Sequence, residues 1–234
     1  MKLHTGFGPN AHKVVVSLCD FSGRWPSQYI KQGYTVAQFD LKHGDNCLDV
    51  PRTLADIEEA VYQANLTCNK CPDAAVLGDA FVVGILMAPV CTDFSVSGAQ
   101  YWPAKDADGT TARSLALIDA CIAIKDECSP EWWALENPVG RLKSLRPALP
   151  FVGWFQPHNY AGLDPVPGDS QYTKKTGLWG TLKMPEQVTH NLDPIRACAQ
   201  GSWLQKLGGK SERTKELRSM TPLGFSNAFA FCNA

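Results

Sequence analysis

Hydrophobic positions along the 234-residue chain gather into short, nearly unbroken apolar runs separated by polar turns. That is the pattern of strands buried on both faces. Val14–Leu18 and Tyr34–Phe39 are the first two runs, Phe81–Met87 is the most continuous, and Glu131–Leu135 and Phe151–Gln156 follow. Helical spacing fills the gaps. Pro26 suits a first helical position ahead of Ser27–Gly33, Thr53 caps an amphipathic helix over Leu54–Ala64, and a third helix runs from Thr110 or Thr111 to about Glu127. Residues 99–106, interrupted by Pro103, read as a flap that is not helical at its start. Gln171–Gly180 reads as a strand carrying positive charge, and Pro222–Phe231 as a closing helix. Strands alternating with helices predict an α/β fold.

The strand ends carry the chemistry-bearing residues. Val14–Leu18 runs into Asp20-Phe21-Ser22-Gly23, and the strand after the first helix ends on Asp40-Leu41. Strand, glycine turn, helix, strand and terminal acid make the βαβ unit of a nucleotide-binding sheet, in which the acid can accept hydrogen bonds from ribose hydroxyls. Phe81–Met87 stops at Pro89, which cannot continue a ladder, and Cys91 follows on the turn. Taken alone, Cys91 reads as a packing residue, because cysteine is among the most buried residue types. Glu131–Leu135, however, delivers Glu136-Asn137-Pro138 in the same way. Two parallel strands ending so would place a thiol and a carboxylic acid on one rim of the sheet.

Charge changes the picture locally. The formal net charge is −1, yet residues 171–218 hold nine Lys/Arg against four Asp/Glu, net +5, leaving 13 against 19, net −6, for the remainder. A basic segment on an acidic body can contact phosphates, although a solvated loop accounts for it equally well. The nine cysteines form no even framework, which points to reduced thiols and a cytoplasmic setting. No apolar run reaches the roughly 18–20 residues that span a bilayer. Cys68-Asn69-Lys70-Cys71 lacks a second ligand pair at zinc spacing, so no metal is expected.

These motifs, in this order, resemble the carbon-5 cytosine DNA methyltransferases, in particular compact phage- or prophage-type members. Phe21-Ser22-Gly23 looks like the family's Phe-x-Gly motif, Pro89-Val90-Cys91 followed by Phe94-Ser95 and Gly98 like its nucleophile motif, and Glu136-Asn137-Pro138 like its Glu-Asn-Val motif. Val90 and Thr92 stand where the family has proline and glutamine, and Arg24-Trp25 follow the first-motif glycine. The family's Gln-x-Arg-x-Arg motif has its counterpart at Gln171–Lys175, with Thr173 at the first arginine position.

The resemblance implies a Rossmann-like S-adenosylmethionine-dependent methyltransferase sheet with helices on both faces and a small basic C-terminal appendage. A catalytic and cofactor-binding core would occupy residues 1–170, a small basic target-recognition segment 171–218, and a helix returning to the core 219–234. S-adenosyl-L-methionine would be held by Asp20, Phe21, Ser22, Gly23, Asp40, Leu41 and Pro89. The partner would be DNA, duplex or single-stranded, with no membrane and no protein partner. Cys91 would add to carbon-6 of cytosine, Glu136 would act at N3 and the amino group, Asn137 would orient it, and Lys174 or Lys175 would neutralise charge at O2. The alternatives are the same fold acting on a nucleotide, RNA or a modified pyrimidine, and a non-catalytic nucleic-acid-binding relative.

Overall fold

The computed structural model describes residues 1–43, 80–166, 168–188 and 211–234. The helix expected at 54–64, Cys68 and Cys71, and residues 189–210 of the basic segment lie outside the described residues.

Seven strands form one sheet in the order β1-β3-β2-β4-β5-β7-β6. They are β1 (Lys2–His4), β2 (Lys13–Leu18), β3 (Thr35–Phe39), β4 (Phe81–Met87), β5 (Trp132–Pro138), β6 (Phe151–Phe155) and β7 (Thr176–Thr181). The inner strands β3, β2, β4 and β5 are mutually parallel. β7 enters antiparallel between β5 and β6. The described helices are α1 (Ser27–Lys31), α2 (Trp102–Ala107), α3 (Thr110–Cys128), α4 (Leu142–Leu145), α5 (Glu212–Ser219) and α6 (Leu223–Cys232).

Side-chain alternation divides the core into two layers. Val14, Val16 and Leu18 face one side with Ile118, Cys121 and Ile124 of α3, and Val15 faces the other with Trp25, Tyr29, Phe225 and Phe229 of the α1 and α6 region. Helices therefore cover both faces, which is why the strands read as continuous apolar runs. This is the α/β sheet with helices on both faces that the sequence leads one to expect. Gly84 of β4 is required by packing: a Cβ there would lie 2.0 Å from the indole of Trp132.

Three differences from the sequence expectation have physical causes. Trp102–Ala107 is helical despite Pro103, because the proline falls in the first turn, where its missing N–H costs no hydrogen bond. Thr176–Thr181, inside the stretch assigned to target recognition, is an inner strand of the sheet, bonded on both sides. Its residues Thr176 to Gly180 are buried and uncharged, so the strand itself carries no positive charge and Lys174 and Lys175 precede it. β5 continues through Glu136 and Asn137 to Pro138 because β7 pairs with it along that length. Among the described residues no helix is long and apolar enough to cross a membrane.

Candidate active site

Beyond β4 the chain turns through Pro89 to Cys91, whose carbonyl accepts the amides of Phe94 and Ser95 at 3.2 and 3.0 Å. This turn is fastened to the segment after β5. The amide of Val96 donates to Val139 O and that of Arg141 to Phe94 O, both at 2.9 Å. The approach is close enough that a Cβ on Gly140 would fall 1.7 Å from Phe94 O, so only glycine fits there. Arg141 completes the fastening: Nε donates to Asp93 O at 3.1 Å, Nη1 to Asp106 at 2.8 Å and Nη2 to Thr111 at 2.7 Å, with the guanidinium 4.8 Å from the Trp102 ring centroid. Asp93 is buried and held by Lys105 at 2.6 Å and by the hydroxyl of Ser114. Burial opposes its charge, but these donors outweigh it, and its carboxyl titrates below the ordinary range.

β4 and β5 are adjacent and parallel, with Met87 opposite Leu135, so their ends deliver Cys91 and Glu136 to one rim. Lys174 reaches the same place from the segment before β7, with Nζ 3.4 Å from Glu136 Oε1. The three side chains share a cavity of about 330 Å³. Burial pushes the Cys91 thiol up, while Lys174 pulls the other way. Burial likewise opposes the Lys174 ammonium, but Glu136, then Cys91 and Tyr172, outweigh it and raise its pKa. The site is thus a thiol whose ionised form depends on one buried cation, which itself depends on a buried carboxylate.

The opposite wall comes from the first βαβ unit. Cys19, Asp20, Phe21 and Ser22 at the end of β2, Asp40, Leu41 and Lys42 after β3, and Pro89 all line the cavity. Asp20 is buried and organises the turn, its Oδ1 accepting from Ser22 Oγ and Gly23 N, both at 2.9 Å, and its Oδ2 from Ser17 Oγ at 3.1 Å. Gly23 has φ +65°, a conformation glycine adopts without strain. Burial raises the Asp20 pKa, with the three donors acting against it. The wall is closed by Glu216, Ser219, Met220 and Thr221 from α5 and the turn after it, and Lys42 Nζ binds Glu216 at 2.7 Å across the rim.

Of the residues expected from the sequence, Cys91, Glu136, Lys174, Asp20, Phe21, Ser22, Asp40, Leu41 and Pro89 meet in this cavity. Three do not line it. Gly23 acts through its backbone bond to Asp20. Asn137 is fully buried, follows Glu136 in the strand and so projects from the opposite face, and neither amide atom has a hydrogen-bond partner among the described residues. Lys175 turns outward and places Nζ 5.3 Å from the Trp154 ring centroid. Arg24 and Trp25 leave the turn altogether: Arg24 binds Asp169 and reaches Met220 Sδ at 3.4 Å, and Trp25 is buried against Phe225 and Phe229. Sequence reasoning missed Arg141, Asp93 and the α5 wall. Their partners are remote in the chain, and no local spacing marks them.

No protein-family model matches the sequence. No curated protein matches it either. Among solved structures the chain is similar to a candidate DNA modification methyltransferase encoded within a prophage of E. coli, with 13% identity and a TM-score of 0.35. The similarity covers 76% of this chain and 52% of that one, so the chain spans about half the length of the protein it matches. A likeness of this degree adds no argument to what the sheet order and the cavity already supply.

Proposed function

We propose that the protein transfers a methyl group from S-adenosyl-L-methionine to carbon-5 of cytosine in DNA, with Cys91 as the nucleophile. The observation that carries this reading is the meeting of Cys91, Glu136 and Lys174 on one wall of a cavity whose other wall holds Phe21, Ser22 and Asp40. A thiol, an acid and a cation together serve a ring that must be attacked at one atom while charge is taken up at others.

The second wall fits the cofactor. Phe21 is 38% exposed and offers an aromatic surface to a flat ring, and Asp40 offers a strand-end carboxylate to ribose hydroxyls. Bound there, the cofactor supplies an electrophilic methyl on a sulfonium sulfur. The protein's own groups do the rest. The Cys91 thiolate would form a bond to carbon-6 of cytosine, and the electron pair of the 5,6 double bond would become available at carbon-5 to bond the methyl as its bond to sulfur breaks, the pair staying on sulfur as a neutral thioether. Glu136 binds N3 and the exocyclic amino group, and Lys174 neutralises the charge gathering at O2. Loss of the carbon-5 proton to water then returns the electron pair, the double bond re-forms and the Cys91–carbon-6 bond breaks, restoring the thiolate. Asp93, Arg141 and Gly140 hold the Cys91 turn in register with Glu136 throughout.

The test is transfer of labelled methyl from S-adenosyl-L-methionine to duplex DNA, single-stranded DNA and deoxycytidine nucleotides by wild type and Cys91→Ala. Label recovered as 5-methylcytosine with wild type and lost in the variant is the expected result. Label on another atom, or transfer that survives Cys91→Ala, overturns the proposal.

A further inference from the structure

The sulfur atoms of Cys19 and Cys121 lie 4.0 Å apart, and neither takes part in the chemistry proposed above. The two residues are 102 positions apart in the chain and belong to different elements: Cys19 follows the last residue of β2, and Cys121 lies in the middle of α3. Both are thiols. Cys121 is fully buried, whereas Cys19 is partly exposed and forms part of the cavity wall beside Asp20, Phe21 and Ser22. α3 reaches the same cavity through Leu117, one helical turn before Cys121. The pair therefore stands directly behind the wall assigned above to the cofactor, with one residue on the cavity and the other sealed.

The backbone bends to bring the two sulfurs together. Leu18 packs in the layer covered by α3, so alternation along β2 would send the next side chain to the opposite layer, toward Trp25 and Tyr29. Cys19 instead packs against the same layer as Leu18. Its φ of +59° accounts for the reversal, a left-handed value that residues with a Cβ rarely adopt. Closing from 4.0 Å to a disulfide length of about 2.05 Å requires the sulfurs to approach by about 2 Å. Cys121 is held within a 19-residue helix, so the approach falls on the Cys19 turn, and Asp20, Phe21 and Ser22 follow that turn in the chain.

We propose that Cys19 and Cys121 form a reversible thiol–disulfide pair, oxidised by hydrogen peroxide, and that the oxidised pair displaces the adjoining cavity wall so that the cofactor binds less tightly. The second part rests on the functional reading above. Peroxide entering the cavity meets Cys19 first. The Cys19 sulfur, having given up its proton, bonds to one peroxide oxygen as the O–O bond breaks, leaving a sulfenic acid and a hydroxide that takes up the released proton. The Cys121 sulfur then bonds to the Cys19 sulfur, the S–O bond breaks, and hydroxide departs with the Cys121 proton. Two thiols and one peroxide thus become one disulfide and two waters. A dithiol reductant restores both thiols by exchange.

The full chain, treated with hydrogen peroxide, unfolded in the presence of iodoacetamide and digested with trypsin without reduction, provides the test. Residues 14–24 and 114–125 are tryptic peptides with one cysteine each. The expected product is these two peptides joined, two hydrogens lighter than their sum, absent after dithiothreitol and absent in Cys121→Ala. Should circular dichroism show that Cys121→Ala fails to fold, Cys19→Ala supplies the same control. Calorimetric titration with S-adenosyl-L-homocysteine, the thioether left once the methyl is transferred, is expected to show affinity weakened about fivefold or more by peroxide and restored by dithiothreitol. In Cys121→Ala peroxide should leave that affinity unchanged, which separates the pair from oxidation of Cys91. Peroxide treatment that leaves the two peptides unjoined overturns the inference, and joined peptides with unchanged affinity overturn its second part. If neither form binds the thioether while the disulfide forms and reverses, the functional reading fails and the redox pair remains.

Discussion

Replacing Lys174 by methionine isolates the central interaction of the site. The side chains of Lys174 and Glu136 are only 15% and 5% exposed, so solvent does little to screen the pair. At 3.4 Å the Coulomb attraction is about 5 kcal/mol with an effective dielectric constant of 20, before the cost of removing both groups from water is subtracted. The net value of the intact pair is therefore small, but the cost of breaking it is not. Lys174→Met leaves a buried carboxylate with no cation, and the expected loss is roughly 3–5 kcal/mol. Glu136→Gln strands the ammonium and costs a similar amount. The double variant removes both charges and should recover most of the stability lost in either single variant, while the methyl transfer proposed above is expected in none of the three. Urea unfolding at pH 7.5 and 25 °C gives each value, and the cycle gives the coupling. A loss below about 1 kcal/mol in Lys174→Met, the figure for an exposed pair, would refute the reasoning, as would a double variant less stable than both singles.

The remaining expectations are simpler to test. Because burial raises the Cys91 thiol and Lys174 counters it, iodoacetamide labelling of Cys91, followed by peptide mass spectrometry, should have its midpoint above the ordinary thiol range, and Lys174→Met should move it further up. Gly140→Ala should cost at least about 2 kcal/mol and weaken methyl transfer, since the new Cβ meets Phe94 O; an unchanged urea midpoint would contradict the close approach. Asp20 has its folded pKa raised by burial, so its contribution to stability is fully present below the unfolded carboxyl pKa and is lost as pH rises through the folded value. Urea midpoints from pH 3 to pH 7 should accordingly favour Asp20→Asn over wild type progressively, and a constant difference would count against the assignment. Glu216→Gln breaks the rim pair with Lys42, whose side chains are 39% and 34% exposed, and should change stability by less than about 1 kcal/mol.

Much of this arrangement was legible in the sequence, for identifiable reasons. The runs at 14–18 and 81–87 are apolar without interruption because helices cover both faces of the sheet, and Pro89 marks where the chain leaves it. Adjacent parallel strands then put Cys91 and Glu136 on one rim by topology alone. The choice between Lys174 and Lys175 was not legible. Consecutive residues of an extended segment point to opposite sides, and only the register of β7 against β5 decides that Lys174 faces Glu136. Arg141 joins Asp93, Asp106 and Thr111 over separations that no local pattern records. Lys2–His4 is too short to announce itself as a strand, and α5 is so polar that its apolar periodicity is lost.

The walls of the cavity are drawn from opposite ends of the polypeptide: residues 19–22 form one side, and residues 216–221 close it, with Lys174 arriving between. A ribosome synthesises these parts in sequence, so a nascent chain that has completed β1 to β5 already carries its thiol and its acid but has neither the cation that favours the thiolate nor the final wall. Completion of the cavity around Cys91 is thereby deferred until synthesis is nearly finished. An abortive product ending before residue 174 would carry Cys91 and Glu136 but neither the cation beside them nor the last wall of the cavity.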